Sequence, residues 1–142
     1  MPRVSHETHA DFGFRSELLD VRKITKLLGI EPTRAWNKGD LFESRTGIYA
    51  RPWGVWGLWT VDMVRDREIG PHIERMLHEL EPKVDIIRRI AQDMQATRLI
   101  YFWWNSPGPT AGYSVPSPMM LRLCALCDTL NFTFRYHEES PA

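Results

Sequence analysis

The chain has 142 residues, 43% of them hydrophobic and 25% charged, with 18 basic residues against 18 acidic ones. That length predicts one domain able to bury roughly 68–70% of the surface its unfolded chain exposes. The zero formal charge removes any global field that would draw in nucleic acid or anionic lipid. The N-terminal stretch lacks the apolar centre of a signal peptide and no run approaches ~18 apolar residues, so a cytoplasmic protein without a membrane span is expected.

Residues 1–9 are polar and read as a loose tail, as do residues 138–142. Ala10, Phe12 and Phe14 then alternate with Asp11, Gly13 and Arg15, the period of a half-buried strand. A helix follows, with Asp20 as N-cap and Leu19 and Ile24 as its hydrophobic staple. Val21, Ile24, Leu27 and Leu28 form its apolar stripe; Gly29 and Pro32 stop it. Thr33–Trp36 reads as a short strand. Residues 37–51 form a polar segment with turns at 37–40 and 46–47, long enough to be a functional loop or to contain a short hairpin.

Three tryptophans follow in WGVWGLW, Trp53 to Trp59. Their spacing suits a helix, but Pro52, Gly54 and Gly57 oppose one, which predicts a strand running to about Met63. In that strand Trp53, Val55 and Trp59 share one face, and Trp56 and Leu58 the other. Gly70-Pro71 opens a helix carrying Ile73, Met76, Leu77 and Leu80; Pro82 restarts another carrying Val84, Ile87, Ile90, Ala91 and Met94. Residues 98–104 are the most β-prone run, apolar or aromatic on both faces, which predicts a strand covered on both sides. A short strand over 111–115 is expected next. The last helix, opened by Ser117-Pro118, carries Met120, Leu123, Cys124, Cys127 and Leu130, and the last strand sets Phe132, Phe134 and Tyr136 against Thr133, Arg135 and His137. Cys124 and Cys127 form a CxxC without a second ligand pair, inside an apolar run, which reads as core packing.

This order of elements predicts a single α+β domain over 1–142: a mostly antiparallel sheet with helices packed on one face. Leu28-Gly29-Ile30 and Leu130-Asn131-Phe132 echo one another, and suggest two pseudo-symmetric ferredoxin-like halves. The segments DVRKITKLLGIEPTRAWNKGD, GLWTV, ELEP and LCDTLNFTFRY, and above all Leu28–Pro32, Lys38-Gly39 and Gly57–Trp59, resemble the bacterial domain-of-unknown-function family 4279. The resemblance spans residues 12–136 and implies a fold and a bacterial source; it transfers no catalytic residue, and Trp53 and Trp56 depart from its pattern.

No catalytic, cofactor or metal signature stands out. His72 and His78 lie six apart rather than four, so they fall on different helix faces and read as solvated. Asp62 and Asp66, beside Arg65 and Arg67, read as a solvated loop. What remains is a mixture of rings and cations suited to recognition: Arg34, Trp36, Asn37, Lys38, Tyr49, Arg51, Trp53 and Trp56. The first expectation is a non-enzymatic module that binds a protein partner, or a second copy of itself, through an aromatic sheet face and the 37–51 loop. The alternative is a small-molecule or nucleotide-binding protein, extending to a weak hydrolase, with tryptophans walling a pocket and Asp62 or His72 at its rim. Stacking on single-stranded nucleic acid ranks third, against the neutral charge.

Overall fold

Apolar and polar residues alternate along β1 (His9–Ser16), and this alternation gives the sheet its two unlike faces. The computed structural model describes residues 8–106, 108–110 and 112–136. After β1 come α1 (Val21–Leu28), β2 (Arg34–Trp36), β3 (Leu41–Ser44), β4 (Gly47–Ala50) and β5 (Gly54–Trp59). The second half runs α2 (Ile69–Leu80), a 3-10 turn at Glu81–Lys83, α3 (Val84–Asp93), β6 (Thr97–Asn105), α4 (Ser117–Cys124) and β7 (Thr129–Arg135). The five-stranded sheet has the order β2-β5-β1-β6-β7, while β3 and β4 form a separate hairpin. All pairings are antiparallel except β6 with β7. That parallel pair needs a crossover, which the segment carrying α4 supplies. Arg98 and Asp128 clamp its start: the Arg98 N–H and guanidinium donate to the carboxylate at 2.8 and 2.9 Å.

Ala10, Phe12 and Phe14 on β1, Trp56 and Leu58 on β5, and Ile100, Phe102 and Trp104 on β6 lie on one face and are buried. They form one core with Ile24 and Leu28 of α1, Ile73, Met76 and Leu80 of α2, Ile87 and Ile90 of α3, and Leu123 of α4. The fold is therefore α+β, with its helices on a single face. The start of α1 is held as its residues dictate: the Asp20 carboxylate accepts from the Lys23 N–H, and Gly29 takes the left-handed conformation at φ 67°. The two helices around Pro82 also appear as expected.

Of the two alternatives for 37–51, the structure shows the hairpin, since pairing satisfies backbone groups that a bare loop would leave to water. Other sequence expectations are corrected. Strand β5 stops at Trp59, because the Thr60 carbonyl accepts from Met63 and Val64 and turns the chain. Strand β6 has helices on one side only. His9 belongs to β1, and the Thr8 hydroxyl bonds the Arg67 carbonyl at 2.8 Å, so residues 8 and 9 are no loose tail; residues 1–7 lie outside the described residues. Residues 112–115 are irregular rather than a strand; Ala111 lies outside the described residues, as do residues 137–142 with His137. Asn131 sits inside β7 rather than at a helix end, so the internal echo marks no equivalent junctions. Helix α4 is only two turns long and leaves Cys124 exposed, while Cys127 beyond it is buried. Phe132 and Phe134 share the helix-covered face, yet at the β7 margin they stay 42% and 40% exposed. No helix among the described residues is long and apolar enough to cross a membrane.

Candidate functional site

Three residues of β1 that do not enter the core, Asp11, Gly13 and Arg15, project from the helix-free face. Across β1 the register sets Gly13 opposite Gly57 on β5 and Leu99 on β6, and Gly57 in turn opposite Arg34 on β2. Two glycines side by side leave a gap in the side-chain layer. Over Gly57 the gap is taken: a β-carbon there would lie 3.3 Å from Arg34 Cγ and 3.7 Å from Trp59 Nε1. Over Gly13 it is open, because a β-carbon there would meet only backbone, the Trp56 carbonyl oxygen at 3.1 Å and Gly57 Cα at 3.9 Å. The result is a trough of about 290 Å³ floored by these glycines.

Its walls come from neighbouring positions on the same face. On one side stand Trp59, Asp11 and Tyr101, mutual partners across three strands; on the other stand Trp36, Val55 and Arg15, with Trp53 beyond. Rings and cations are stacked across the sheet. The Arg34 guanidinium lies 4.8 Å from the Trp59 ring and 5.6 Å from Trp36. His9 stacks between Trp59 and Trp103 with centroids 5.8 and 5.9 Å away, and Arg135 covers Trp103 at 4.9 Å. Each such contact places a cation on the negative face of a ring or lays rings parallel.

The polar groups are unevenly satisfied. Asp11 is 7% exposed; Oδ2 faces His9 Nε2 at 3.6 Å, while Oδ1 is shut from solvent with no hydrogen-bond partner. The Trp59 indole N–H is likewise buried and unbonded. Arg15, Arg34 and Arg51 form no ion pair among the described residues. Such a surface can hold a flat group against its rings and attract an anion at Arg34 and Arg15.

Of the residues singled out in the sequence, Arg34, Trp36 and Trp53 line this trough. Arg51 stacks on Trp36 at 3.9 Å and on Phe42 at 4.0 Å, tying the hairpin to the β2 margin. Tyr49 is exposed on the hairpin with its hydroxyl 2.8 Å from that of Thr46. Lys38 is exposed and pairs with Glu17 at 3.5 Å. Asn37 is structural: its side-chain oxygen accepts from the Val21 N–H at 3.1 Å. Trp56 is a correction, fully buried on the opposite face with its indole N–H donating to the Thr25 hydroxyl at 3.0 Å. His72 is a second correction: it is buried, not solvated, because Thr60 and the Asp66 carbonyl satisfy both ring nitrogens. Asp62 and Asp66 are exposed in the turn after β5, away from the trough. Among the described residues, no group of three or more His, Cys, Asp or Glu side chains is placed to hold a metal ion.

Asp11, Gly13, Gly57, Trp59, Tyr101 and Trp103 were not among the candidate binding residues of the sequence. Period-two alternation sets each of them opposite the core-facing residues of its own strand, but only the register brings the two glycines together. No curated protein and no solved structure matches the chain. The model of the family described as "Domain of unknown function (DUF4279)" matches residues 6–133, and the chain belongs to that family.

Proposed function

We propose that this chain is a binding protein for a small, flat molecule that lies over Gly13 in the trough of the helix-free sheet face. The observation that carries the reading is the union of tryptophan walls with a buried carboxylate oxygen, Asp11 Oδ1, that lacks a donor. A buried acceptor without a partner is costly, and a ligand N–H would relieve that cost, with the Asp11 side chain turning toward the trough to meet it. A concave aromatic site with few convergent polar groups is the common form of a small-molecule site. This reading takes the place of protein docking through the same face, and its binding residues are Asp11, Arg34, Trp36, Trp59, Tyr101 and Trp103.

Amide-resolved titration of the whole chain with a library of flat, polar fragments tests it. Binders should move the backbone signal of Gly13 and the indole N–H of Trp59. Leu99→Trp, which thickens the β6 wall, should abolish those shifts in a folded chain. Shifts confined to β7 or to the hairpin would overturn the reading.

A second reading, contact with a protein partner or a second copy, rests on a different observation. Phe132, Phe134 and Tyr136 form an exposed aromatic row at the β7 margin, each at least 40% accessible. Sedimentation that depends on concentration, and reverts in Phe132→Ser, would support it.

A further inference from the structure

We infer that the ligand of this trough is a purine nucleoside monophosphate, with an N–H edge of the base on Asp11 and the phosphate on Arg34. The inference rests on the small-molecule reading above and goes further by naming the ligand class.

Three constraints converge on that class. The first is charge. Arg34 and Arg15 border the trough, lie against Trp59 and Trp53, and form no ion pair among the described residues. Guanidinium groups held on rings keep their outward N–H groups for a planar or tetrahedral anion. The ligand should therefore carry negative charge.

The second constraint is that the charge cannot extend over the whole ligand. Asp11 stands in the wall, two positions from Gly13 and opposite Trp59, with Oδ1 unpartnered. An anionic group beside it would be repelled and would leave that oxygen unsatisfied, whereas an N–H donor satisfies it. The ligand should be asymmetric, with a donor edge at one end and an anion at the other.

The third constraint is shape. The walls are indole and phenol rings, and a heteroaromatic ring packs on them by offset stacking or edge contact. The volume of about 290 Å³ is at the lower limit for small-molecule sites, which suits a mononucleotide and not a longer chain. Guanine and adenine both offer N–H donors on a flat ring, and a 5′-phosphate supplies the anion at a distance. A simple aromatic carboxylate such as benzoate has no N–H edge, and a free nucleoside has no anion.

Calorimetric and tryptophan-fluorescence titrations of the full chain test this with four probes: GMP, AMP, guanosine and inorganic phosphate. At least one nucleotide should bind; guanosine should bind about tenfold more weakly and phosphate more weakly still, since each keeps only part of the contacts. Arg34→Gln should weaken nucleotide binding about tenfold more than it weakens guanosine binding, because only the nucleotide loses a phosphate contact. Asp11→Asn should weaken nucleotide and guanosine alike, with thermal unfolding run alongside to establish that the variant is folded. A nucleotide affinity indifferent to both substitutions, or equalled by phosphate alone, would overturn the inference. If neither nucleotide binds while another flat fragment moves Gly13 and Trp59, the nucleotide class fails and the trough reading stands. If no fragment binds there, both fail.

Discussion

The hydroxyl of Thr60 lies 2.7 Å from Nδ1 of His72, and both side chains are shut away from solvent. Nε2 of the same ring is 2.8 Å from the Asp66 carbonyl. A carbonyl can only accept, so the ring proton sits on Nε2 and Nδ1 accepts from Thr60. The Thr60 oxygen in turn accepts from the Ala10 N–H at 2.9 Å, which ties α2 and the turn after β5 to β1.

This closed chain predicts an acid-sensitive fold. Burial holds the His72 imidazole below the ordinary value of 6.5, outweighing the Asp66 carbonyl bond that favours the proton, and the nearby His9 acts in the same direction as burial. Unfolded, His72 takes up a proton below about 6.5; folded, it resists down to a lower pH. Stability is thus fully present above about pH 6.5 and declines as pH falls below it. Melting temperature measured from pH 7.5 to 5 should fall, and the fall should be shallower in His72→Gln. Parallel curves for the two chains would sink this account. Thr60→Val, which strands both a ring nitrogen and the Ala10 N–H, should cost about 2–3 kcal/mol.

The two faces of the sheet could be read from the chain because a strand's period of two needs no partner to declare itself. Phe12 and Phe14 announce the core side of β1, but β5 carries tryptophans on both faces, so Trp56 reads as a binding residue until strand pairing places it in the core. Placing those strands next to each other is a different matter. The site depends on Gly13 meeting Gly57, 44 positions away in sequence, and pairing between distant segments leaves no local mark. His72 misled for a related reason. Its burial is tolerated only because Thr60 and the Asp66 carbonyl, on a turn outside the helix, occupy both ring nitrogens. Cys124 misled because α4 buries a single stripe, at Leu123, and leaves the neighbouring Cys124 outside it.

The paired cysteines should behave as two unlike thiols. Burial pushes the Cys127 thiol up to about 11, and its S–H points to the Leu123 carbonyl at 3.4 Å. Cys124 is exposed. Because the thiolate is the reactive form, an aromatic disulfide reagent at pH 8 should titrate one thiol in the folded chain and two in denaturant. Cys124→Ser should remove the native reaction. Rapid native labelling of both would show that Cys127 is not packed as described.

Helices α1 and α3 end with the same backbone conformation but different residues. Gly29 has φ 67°, and Gln95 just beyond α3 has φ 50°. Around Gln95 the Ala96 N–H reaches the Ala91 carbonyl at 2.9 Å, the long bond of a Schellman cap. A side chain in this region costs about 1–2 kcal/mol. Gln95→Gly should therefore stabilise the chain by up to about 1 kcal/mol, after the extra backbone freedom of the unfolded glycine is subtracted. Gly29→Ala should destabilise it by about 1 kcal/mol. Chemical denaturation of both variants checks the pair, and a loss in Gln95→Gly would count against the cap.

Arg51 gives the hairpin its attachment. Its backbone closes the base, with its N–H on the Asp40 carbonyl and its carbonyl accepting from Gly39, both at 2.8 Å. Its guanidinium lies between the rings of Trp36 and Phe42, at 3.9 and 4.0 Å. A two-stranded hairpin is marginal by itself, and most residues of β3 and β4 are exposed, so this sandwich should supply much of its order. At about 0.5–1 kcal/mol for each ring, its removal is worth about 1–2 kcal/mol of local stability. Arg51→Ala should therefore speed hydrogen exchange of the β3 and β4 amides about 5–30-fold, while exchange in β1 and β5 stays nearly unchanged. Arg51→Lys should recover only part of the loss, because an ammonium cannot lie flat against two rings. Equal acceleration in the hairpin and the central strands would mean that Arg51 supports the whole sheet and not the hairpin alone.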